Sequence, residues 1–179
     1  MSIIIGIDPG MTGGICIRDL TNNEIDLMVM PTKGTVRFTK LIDTEAIADM
    51  FTEIRSEIKM IYIEEIFAMS TQGSASMLSF GRGWGQILGV IHTLKIPYYV
   101  VRPQEWQKYV LPKGKAGTTK IRALQTAEQL FPQVELRASE RAKLAHEGKV
   151  DALMISEFGV RHYKHRLDIS SLSIEKVEE

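Results

Sequence analysis

The segment IGIDPGMTGGICI (5–17) joins two strand-like runs through a tight turn. Residues 2–8 are apolar and β-branched, and this run stops at Asp8-Pro9-Gly10, which are turn-forming residues. Residues 13–18 then alternate in the manner of a half-buried strand, and a polar turn leads into a third strand over 24–30. The pattern predicts an antiparallel meander of three strands.

The remainder of the chain alternates between helical and strand-like patterns. The periodicity of the apolar residues predicts helices over 44–58, 75–95, 104–110, 118–130 and about 149–163, and strands over 60–66 and 98–102. A meander followed by crossover units predicts an α/β protein, and it is the arrangement of the RNase H-like fold. We therefore expect a mixed five-stranded sheet, with three antiparallel strands followed by parallel ones, and helices on both faces.

The composition is that of one ordinary globular domain. The chain has 179 residues, of which 44% are hydrophobic and 25% charged, and this is enough to bury one core. We expect this domain to span residues 1–163 and a polar, flexible tail to span 164–179. A single cysteine, Cys16, excludes an internal disulfide framework. No leader pattern precedes the first strand and no apolar run approaches about 20 residues, so we expect a cytoplasmic protein with no membrane association.

The net charge is zero, with 22 basic and 22 acidic residues, so the total charge does not indicate a nucleic-acid partner. The basic residues are nevertheless unevenly distributed. Between residues 102 and 122 there is one acidic residue, Glu105, against Arg102, Lys108, Lys113, Lys115, Lys120 and Arg122. Such a run is most often a solvated face, and a surface that contacts phosphates is the alternative.

Several acidic residues fall at the ends of predicted elements. Asp8 ends the first strand, and Glu64 and Glu65 lie near the end of a strand in which alternation puts one carboxylate on each face. Asp151 begins the last helix, and Glu147 precedes it by one turn, so the two can share a helix face. Carboxylates that converge in this way would suit Mg²⁺ or Mn²⁺.

Each of these residues also has a purely structural interpretation, which the pattern leaves open. Asp8 could only open its turn, Asp151 could only cap a helix, and one of the two adjacent glutamates could be solvated. Zinc is excluded because the cysteines and paired histidines that bind it are missing. The glycines between 81 and 89 form no phosphate-binding loop, since the Gly-Lys-Ser/Thr ending is absent.

Five segments in the same order resemble the RuvC-type Holliday-junction resolvases of the RNase H-like superfamily, and some of them resemble the phage and organellar branch. The resemblance covers about residues 3–163. The segments are IGIDPGMTGGICI (5–17), IEEIF (63–67), SASMLSFGRGWGQILGV (74–90), the region from VRPQEWQKYV to TTKIRALQTAEQLFP (101–132) and HEGKVDALMISEFGVR (146–161).

The resemblance implies catalytic, metal-binding roles for Asp8, Glu64, Asp151 and, as the fourth acid, Glu147. Some members carry the fourth acid one position later, where this chain has Gly148, and others use a nearby histidine, which leaves His146 as an alternative.

The resemblance also implies residues that contact DNA. Lys120 would be catalytic near the scissile phosphate, and Phe67 would enter the junction centre, with a core phenylalanine as the alternative. The other residues that we expect to contact DNA are Lys108, Lys113, Lys115 and Arg122.

The activity implied is symmetric nicking of four-way (Holliday) DNA junctions by a homodimer with two Mg²⁺ ions, for which Mn²⁺ could substitute. The setting implied is the cytoplasm of a bacterium or of a phage-infected host. Two alternatives stay open: a broader endonuclease for branched DNA and flaps, and a junction-binding protein without catalysis. An actin-like ATPase is disfavoured, because the chain is short and has no second phosphate-binding hairpin.

Overall fold

The computed structural model describes residues 1–34, 40–67, 73–113 and 117–175, which contain seven strands and five helices. In chain order these elements are β1 (Ile3–Asp8), β2 (Gly14–Asp19), β3 (Ile25–Val29), β4 (Thr32–Gly34), β5 (Lys40–Ile42), α1 (Thr44–Glu53), β6 (Ile58–Glu64), α2 (Ser74–Thr93), β7 (Tyr98–Val101), α3 (Pro103–Val110), α4 (Thr119–Leu130) and α5 (Glu147–Glu175).

The main sheet has five strands in the order β3-β2-β1-β6-β7. Strands β1, β2 and β3 form the antiparallel meander, and β1, β6 and β7 run parallel to one another. The chain enters β6 through α1 and passes from β6 to β7 through α2, as parallel strands require. The predicted mixed five-stranded sheet is confirmed.

Helices cover both faces of this sheet, and alternation along each strand decides which face a side chain meets. Ile5 and Ile7 belong to a core formed with α1 and α2. Ile4 and Tyr62 belong to a second core formed with α3, α4 and α5. Every second residue therefore points toward α5, and this alternation extends to the carboxyl ends of β1 and β6.

Helix α5 lies against β1 and β2 at backbone contact distance. A Cβ atom on Gly6 would lie 2.4 Å from both the Ala152 carbonyl oxygen and the Ser156 amide nitrogen of α5. One on Gly148 would lie 2.3 Å from the Thr12 carbonyl oxygen, in the turn that joins β1 to β2. Such distances admit no side chain, so glycine at these positions sets how closely the helix approaches the sheet.

An ion pair also fixes α5 to β2. The Arg18 guanidinium on β2 donates a 2.5 Å hydrogen bond to Glu157 of α5, and both side chains are only 13% exposed. Arg18 also lies 4.9 Å from the centre of the Phe131 ring. The ion pair and the cation–π contact with Phe131 stabilise the Arg18 charge, which would otherwise be costly to bury between helix and sheet.

Besides shifts of one or two residues at other ends, three features differ from the prediction. Helix α1 ends at Glu53 because Ile58, which continues its apolar spacing, instead opens β6. The short hairpin of β4 and β5 was not predicted, since runs of three residues give no periodic signal. Helix α5 begins at Glu147 and continues to Glu175, beyond the expected end near residue 163. The division into a domain over 1–163 and a tail over 164–179 stays a prediction.

Among the residues that the structure describes, the helices are either too short or too polar to cross a membrane.

The close approach of α5 gives a direct stability test. Gly6→Ala is expected to lower the free energy of unfolding by roughly 1–3 kcal/mol, because the added methyl group must displace the α5 backbone. At about 2–4 °C for each kcal/mol, the thermal midpoint should fall measurably in circular dichroism. Gly34→Ala is the matched control, since a Cβ there has no neighbour within 4 Å. Equal midpoints for the two variants would contradict the packing described.

Candidate active site

Two carboxylates lie side by side at the carboxyl ends of adjacent parallel strands. Asp8 is the last residue of β1 and Glu64 the last of β6, and the preceding residues, Ile7 and Ile63, are partners in the parallel register. Asp8 shares the alternation of Gly6, which faces α5, and Glu64 shares that of Tyr62, which belongs to the α5 core. Both side chains therefore stand on the face of the sheet that α5 covers.

Asp8 both opens the turn and faces the helix. Its Oδ1 atom accepts a 3.2 Å hydrogen bond from the Gly10 amide, and the Gly10 carbonyl accepts one of 2.8 Å from the Gly13 amide. Burial raises the pKa of the Asp8 carboxyl, and the Gly10 hydrogen bond offsets part of that rise. The structural role expected for Asp8 is thus present together with its place in the carboxylate group.

Two tryptophan side chains hold Glu64. The indole N–H of Trp106, on α3, donates a 2.6 Å hydrogen bond to Glu64 Oε1, and that of Trp84, on α2, donates one of 3.1 Å to the Glu64 carbonyl oxygen. Trp106 is almost completely buried. Burial raises the pKa of Glu64 to about 7; the Trp106 hydrogen bond lowers it and the Asp8 charge raises it.

Neither tryptophan was predicted as part of the site from the sequence. Trp106 lies in a short helix directly after the strand that neighbours β6, and this position is the signal that could have indicated its role.

The neighbouring carboxylate, Glu65, is engaged elsewhere. Its Oε2 atom accepts a 3.2 Å hydrogen bond from the Arg102 guanidinium, and its amide donates to the Val101 carbonyl at 2.8 Å. Of the two adjacent glutamates, Glu64 is therefore the one whose carboxylate lies with Asp8. The sequence alone left this choice open.

Asp151 completes the group from the first turns of α5. Burial is the main cause that raises its pKa to about 7, followed by the charges of Asp8, Glu64 and Glu147, while the Lys120 ammonium lowers it. The close packing of Gly148 and Gly6 against their partners brings this part of α5 over the ends of the strands. Three carboxylates from three separate elements thus share one mostly buried region.

The fourth acid and the predicted catalytic lysine form an exposed ion pair beside this group. Lys120, on α4, donates a 2.5 Å hydrogen bond to Glu147 Oε2, and their side chains are 71% and 67% exposed. That hydrogen bond raises the pKa of Lys120. An ion pair this open to water is weak, so either partner can exchange it for another ligand. His146, the alternative to Glu147, accepts a 3.3 Å hydrogen bond at Nδ1 from the Lys149 amide and so caps α5.

The donor chemistry of the three half-buried carboxylates fits a hard divalent cation. They offer only oxygen atoms, and the charges of Asp8 and Glu64 raise the pKa of neighbouring carboxyls, so a cation between them would offset both repulsion and burial. In the described ranges, no three His, Cys, Asp or Glu side chains are already closed into a metal-holding group. A bound ion would therefore have to draw these oxygens together.

Basic residues predicted to contact DNA gather at the opening between α3 and α4. Lys108, Lys113 and Arg122 line a pocket of about 300 Å³ together with Gln104 and Gln107. Side chains from two helices and from the segment after α3 thus line one concavity. That these basic residues contact DNA stays a prediction.

Two further predicted DNA contacts are Phe67 and Lys115. Phe67 follows the end of β6, close in the chain to Glu64, and is 44% exposed, so it is not a core phenylalanine. Lys115 lies outside the described residues.

The fold is that of an RNase H-like α/β protein: a five-stranded mixed sheet in this strand order, covered by a helix. Carboxylates lie at the ends of β1 and β6, and the covering helix carries a third. Two solved structures with this fold are RuvC proteins of Thermus thermophilus. One, T. thermophilus RuvC in complex with Holliday junction substrate, matches with a TM-score of 0.55 and 15% identity over 87% of this chain and 90% of that chain.

The other structure, also of Thermus thermophilus RuvC, matches with a TM-score of 0.52 and 16% identity over 89% of this chain and 96% of that chain. No protein-family model and no curated protein matches this chain. The chain therefore has a RuvC-like fold, which confirms the predicted fold class. Its assignment to the phage and organellar branch stays a prediction.

Repulsion among the carboxylates predicts a pH-dependent effect of Asp151→Asn. An acid with a raised pKa binds more protons in the folded protein than in the unfolded chain, so its contribution to stability is lost as pH rises from about 4 to about 7. Removing the Asp151 charge should therefore raise the thermal midpoint at pH 7.5, with chelator present, and change it little at pH 4. Asp49→Asn, on the exposed surface of α1, is the control. The quantity to compare is the difference in thermal midpoint between Asp151→Asn and the wild type. If this difference is no larger at pH 7.5 than at pH 4, the inferred burial and repulsion of Asp151 are refuted.

Proposed function

We propose that this protein is a divalent-metal-dependent endonuclease that resolves four-way DNA junctions. The observation that carries the proposal is the half-buried group of Asp8, Glu64 and Asp151, placed at the strand ends of a RuvC-like fold. A protein that only needed to fold would have little reason to collect three carboxylates there, because their burial and mutual repulsion reduce stability.

The three carboxylates would hold two Mg²⁺ ions, or Mn²⁺ in their place, with Glu147 as a further ligand. When bound, such ions activate a water and stabilise the leaving oxygen in phosphodiester cleavage. Trp106 would fix one Glu64 oxygen by its 2.6 Å hydrogen bond and leave the other free for coordination. This division of the carboxylate would reduce the reorganisation that metal binding requires.

Lys120 would act on the phosphate rather than on the metal. In the free protein its ammonium is occupied by Glu147, and the exposure of the pair makes that interaction easy to exchange. Once Glu147 bound a cation, the Lys120 Nζ–H groups could donate to a non-bridging phosphate oxygen and stabilise its growing charge. The ion pair would thus keep the catalytic lysine in place before substrate arrives.

The pocket of Lys108, Lys113 and Arg122 would bind backbone phosphates away from the cleaved bond. Lys115 stays a further predicted phosphate contact on the basis of the sequence. Phe67, exposed beyond the end of β6, would stack on a base pair opened at the junction centre. These interactions select branched DNA by its shape, since none of them addresses a base edge.

A homodimer would match the two-fold symmetry of a four-way junction, so that two active sites nick two strands symmetrically. Helix α2 offers a surface for it, because a Cβ on Gly81, Gly85 or Gly89 would meet no described atom within 4 Å other than the nearby backbone of the same helix. Leu78, on the same helix, is 75% exposed. The proposal places this dimer where cellular or phage DNA recombines, in the cytoplasm of a bacterium or an infected host.

Cleavage of a labelled synthetic four-way junction in Mg²⁺ tests the proposal. The wild type should produce paired, symmetric nicks, and Asp8→Asn should lower the rate by at least about 100-fold while leaving junction binding intact, because one essential ligand is removed. Asp49→Asn should cleave like the wild type. Equal cleavage of flaps and junctions would favour the broader branched-DNA nuclease, and binding without cleavage in either metal would leave a junction-binding protein.

The basic pocket makes a separate prediction about binding. In the Asp8→Asn background, replacing Lys108 and Arg122 with alanine should weaken junction binding and reduce the dependence of log K on log salt by about 0.9 for each phosphate that is no longer neutralised. Lys59→Ala, at the opposite end of β6, should change neither quantity. A salt dependence that stays the same in the double variant would show that these side chains do not bind phosphates.

A further inference from the structure

An apolar groove adjoins the carboxylate group between α4 and the segment that precedes α5. Its volume is about 220 Å³. Three residues of the proposed active site form one part of its lining: Lys120, Glu147 and Asp151. Ile121, Leu124, Leu144, Ala145 and Val150 form the rest. The proposed cleavage chemistry gives these apolar residues no role.

Two of the apolar side chains are unusually open to water. Leu144 is 81% exposed and Ile121 is 48% exposed. A single exposed leucine is ordinary on a protein surface. Here both side chains line one concavity that also contains the charged residues of the site, which is the usual composition of a ligand-binding cleft.

The segment that carries Leu144 is fixed to the fold by its backbone. The His146 amide donates a 2.8 Å hydrogen bond to the Leu136 carbonyl, and Ala145 forms an isolated antiparallel bridge with Arg137. The Lys149 ammonium donates a 2.9 Å hydrogen bond to the Arg137 carbonyl. Leu144 is therefore held in its exposed position, and the groove exists before any ligand arrives.

We propose that this groove binds the deoxyribose and base of the nucleotide adjoining the cleaved phosphate. The inference rests on the proposed function, and it adds a nucleoside subsite to the phosphate-binding residues described above. Asp151 itself lines the groove, and the next nucleotide of a strand lies only a few ångströms from a phosphate held there. The groove is therefore within reach of the next nucleotide.

The charges of the groove lining determine which part of that nucleotide would enter the groove. Apart from Lys120, Glu147 and Asp151, which belong to the proposed active site, the lining is apolar and offers no charge to a second phosphate. A nucleoside is neutral, and the faces of its base and sugar are apolar enough to pack against Leu144 and Ile121. Base packing of this kind tolerates sequence, because every base has an apolar face. The groove would thus position the strand without reading a particular base pair.

The test uses four-way junctions in which one nucleotide beside the mapped nick is intact or abasic, with each side examined in turn. For the wild type, the single-turnover nicking rate should be about five-fold or more higher on the intact junction, for the side that faces the groove. Leu144→Ala should bring this ratio close to one. Its truncation leaves the core intact, because the side chain is 81% exposed.

Leu130→Ala is the matched control, since Leu130 is an exposed leucine at the far end of α4. It should keep the wild-type ratio, and Ile121→Ala should lower it as Leu144→Ala does. If the wild type nicks the junction but Leu144→Ala and Ile121→Ala both retain its ratio, the nucleoside subsite is refuted and the resolvase proposal stands.

Two other outcomes also overturn the subsite. Absence of nicking by the wild type would remove the proposed function together with it. If light scattering showed that Leu144→Ala breaks up a dimer while the nicking ratio is unchanged, the groove would hold a second copy of the chain rather than DNA.

Discussion

Helix α5 lies against β1 and β2 with no side chain between the backbones, and the site follows from that packing. At Gly6 and Gly14 a Cβ would collide with the backbone of α5, and at Gly148 it would collide with the backbone of the β1–β2 turn. Because the approach is so close, the first turns of α5 lie directly over the strand ends. Asp151 is then near Asp8 and Glu64, although more than 80 residues separate it from either in sequence. The packing and the chemistry therefore depend on the same glycines.

The fold accepts three half-buried carboxylates because α5 is anchored to the sheet beyond Asp151. Arg18 and Glu157 pair at 2.5 Å between β2 and the helix, and two apolar cores cover the faces of the sheet. Trp106 donates one good hydrogen bond to Glu64, but Asp151 is subject chiefly to burial and to like charges. A site of this kind lowers stability in the free protein, and a bound cation would restore it.

The mixed sheet could be predicted from the sequence, because strand alternation and the Asp8-Pro9-Gly10 turn are local signals. The acids at element ends were indicated in the same way. Periodicity could not choose between Glu64 and Glu65, since that choice depends on which face α5 covers and on the partner Arg102. It also could not find Trp106 or the groove at Leu144, because both arise where distant segments meet. The β4–β5 hairpin was missed because runs of three residues give no periodic signal. The end of α1 was misplaced because Ile58, the first residue of β6, continues the apolar spacing of the helix.

The most direct test asks whether the carboxylates over which α5 packs form a metal site. It is a calorimetric titration with Mn²⁺ at pH 7.5 of the wild type, Glu64→Gln and Glu65→Gln. Glutamine keeps the side-chain shape and can still accept from Trp106, so only the charge changes. We expect the wild type and Glu65→Gln to bind Mn²⁺ alike and Glu64→Gln to bind it at least about ten-fold more weakly. Equal binding by both variants, or loss of binding only in Glu65→Gln, would contradict a metal site built on Glu64.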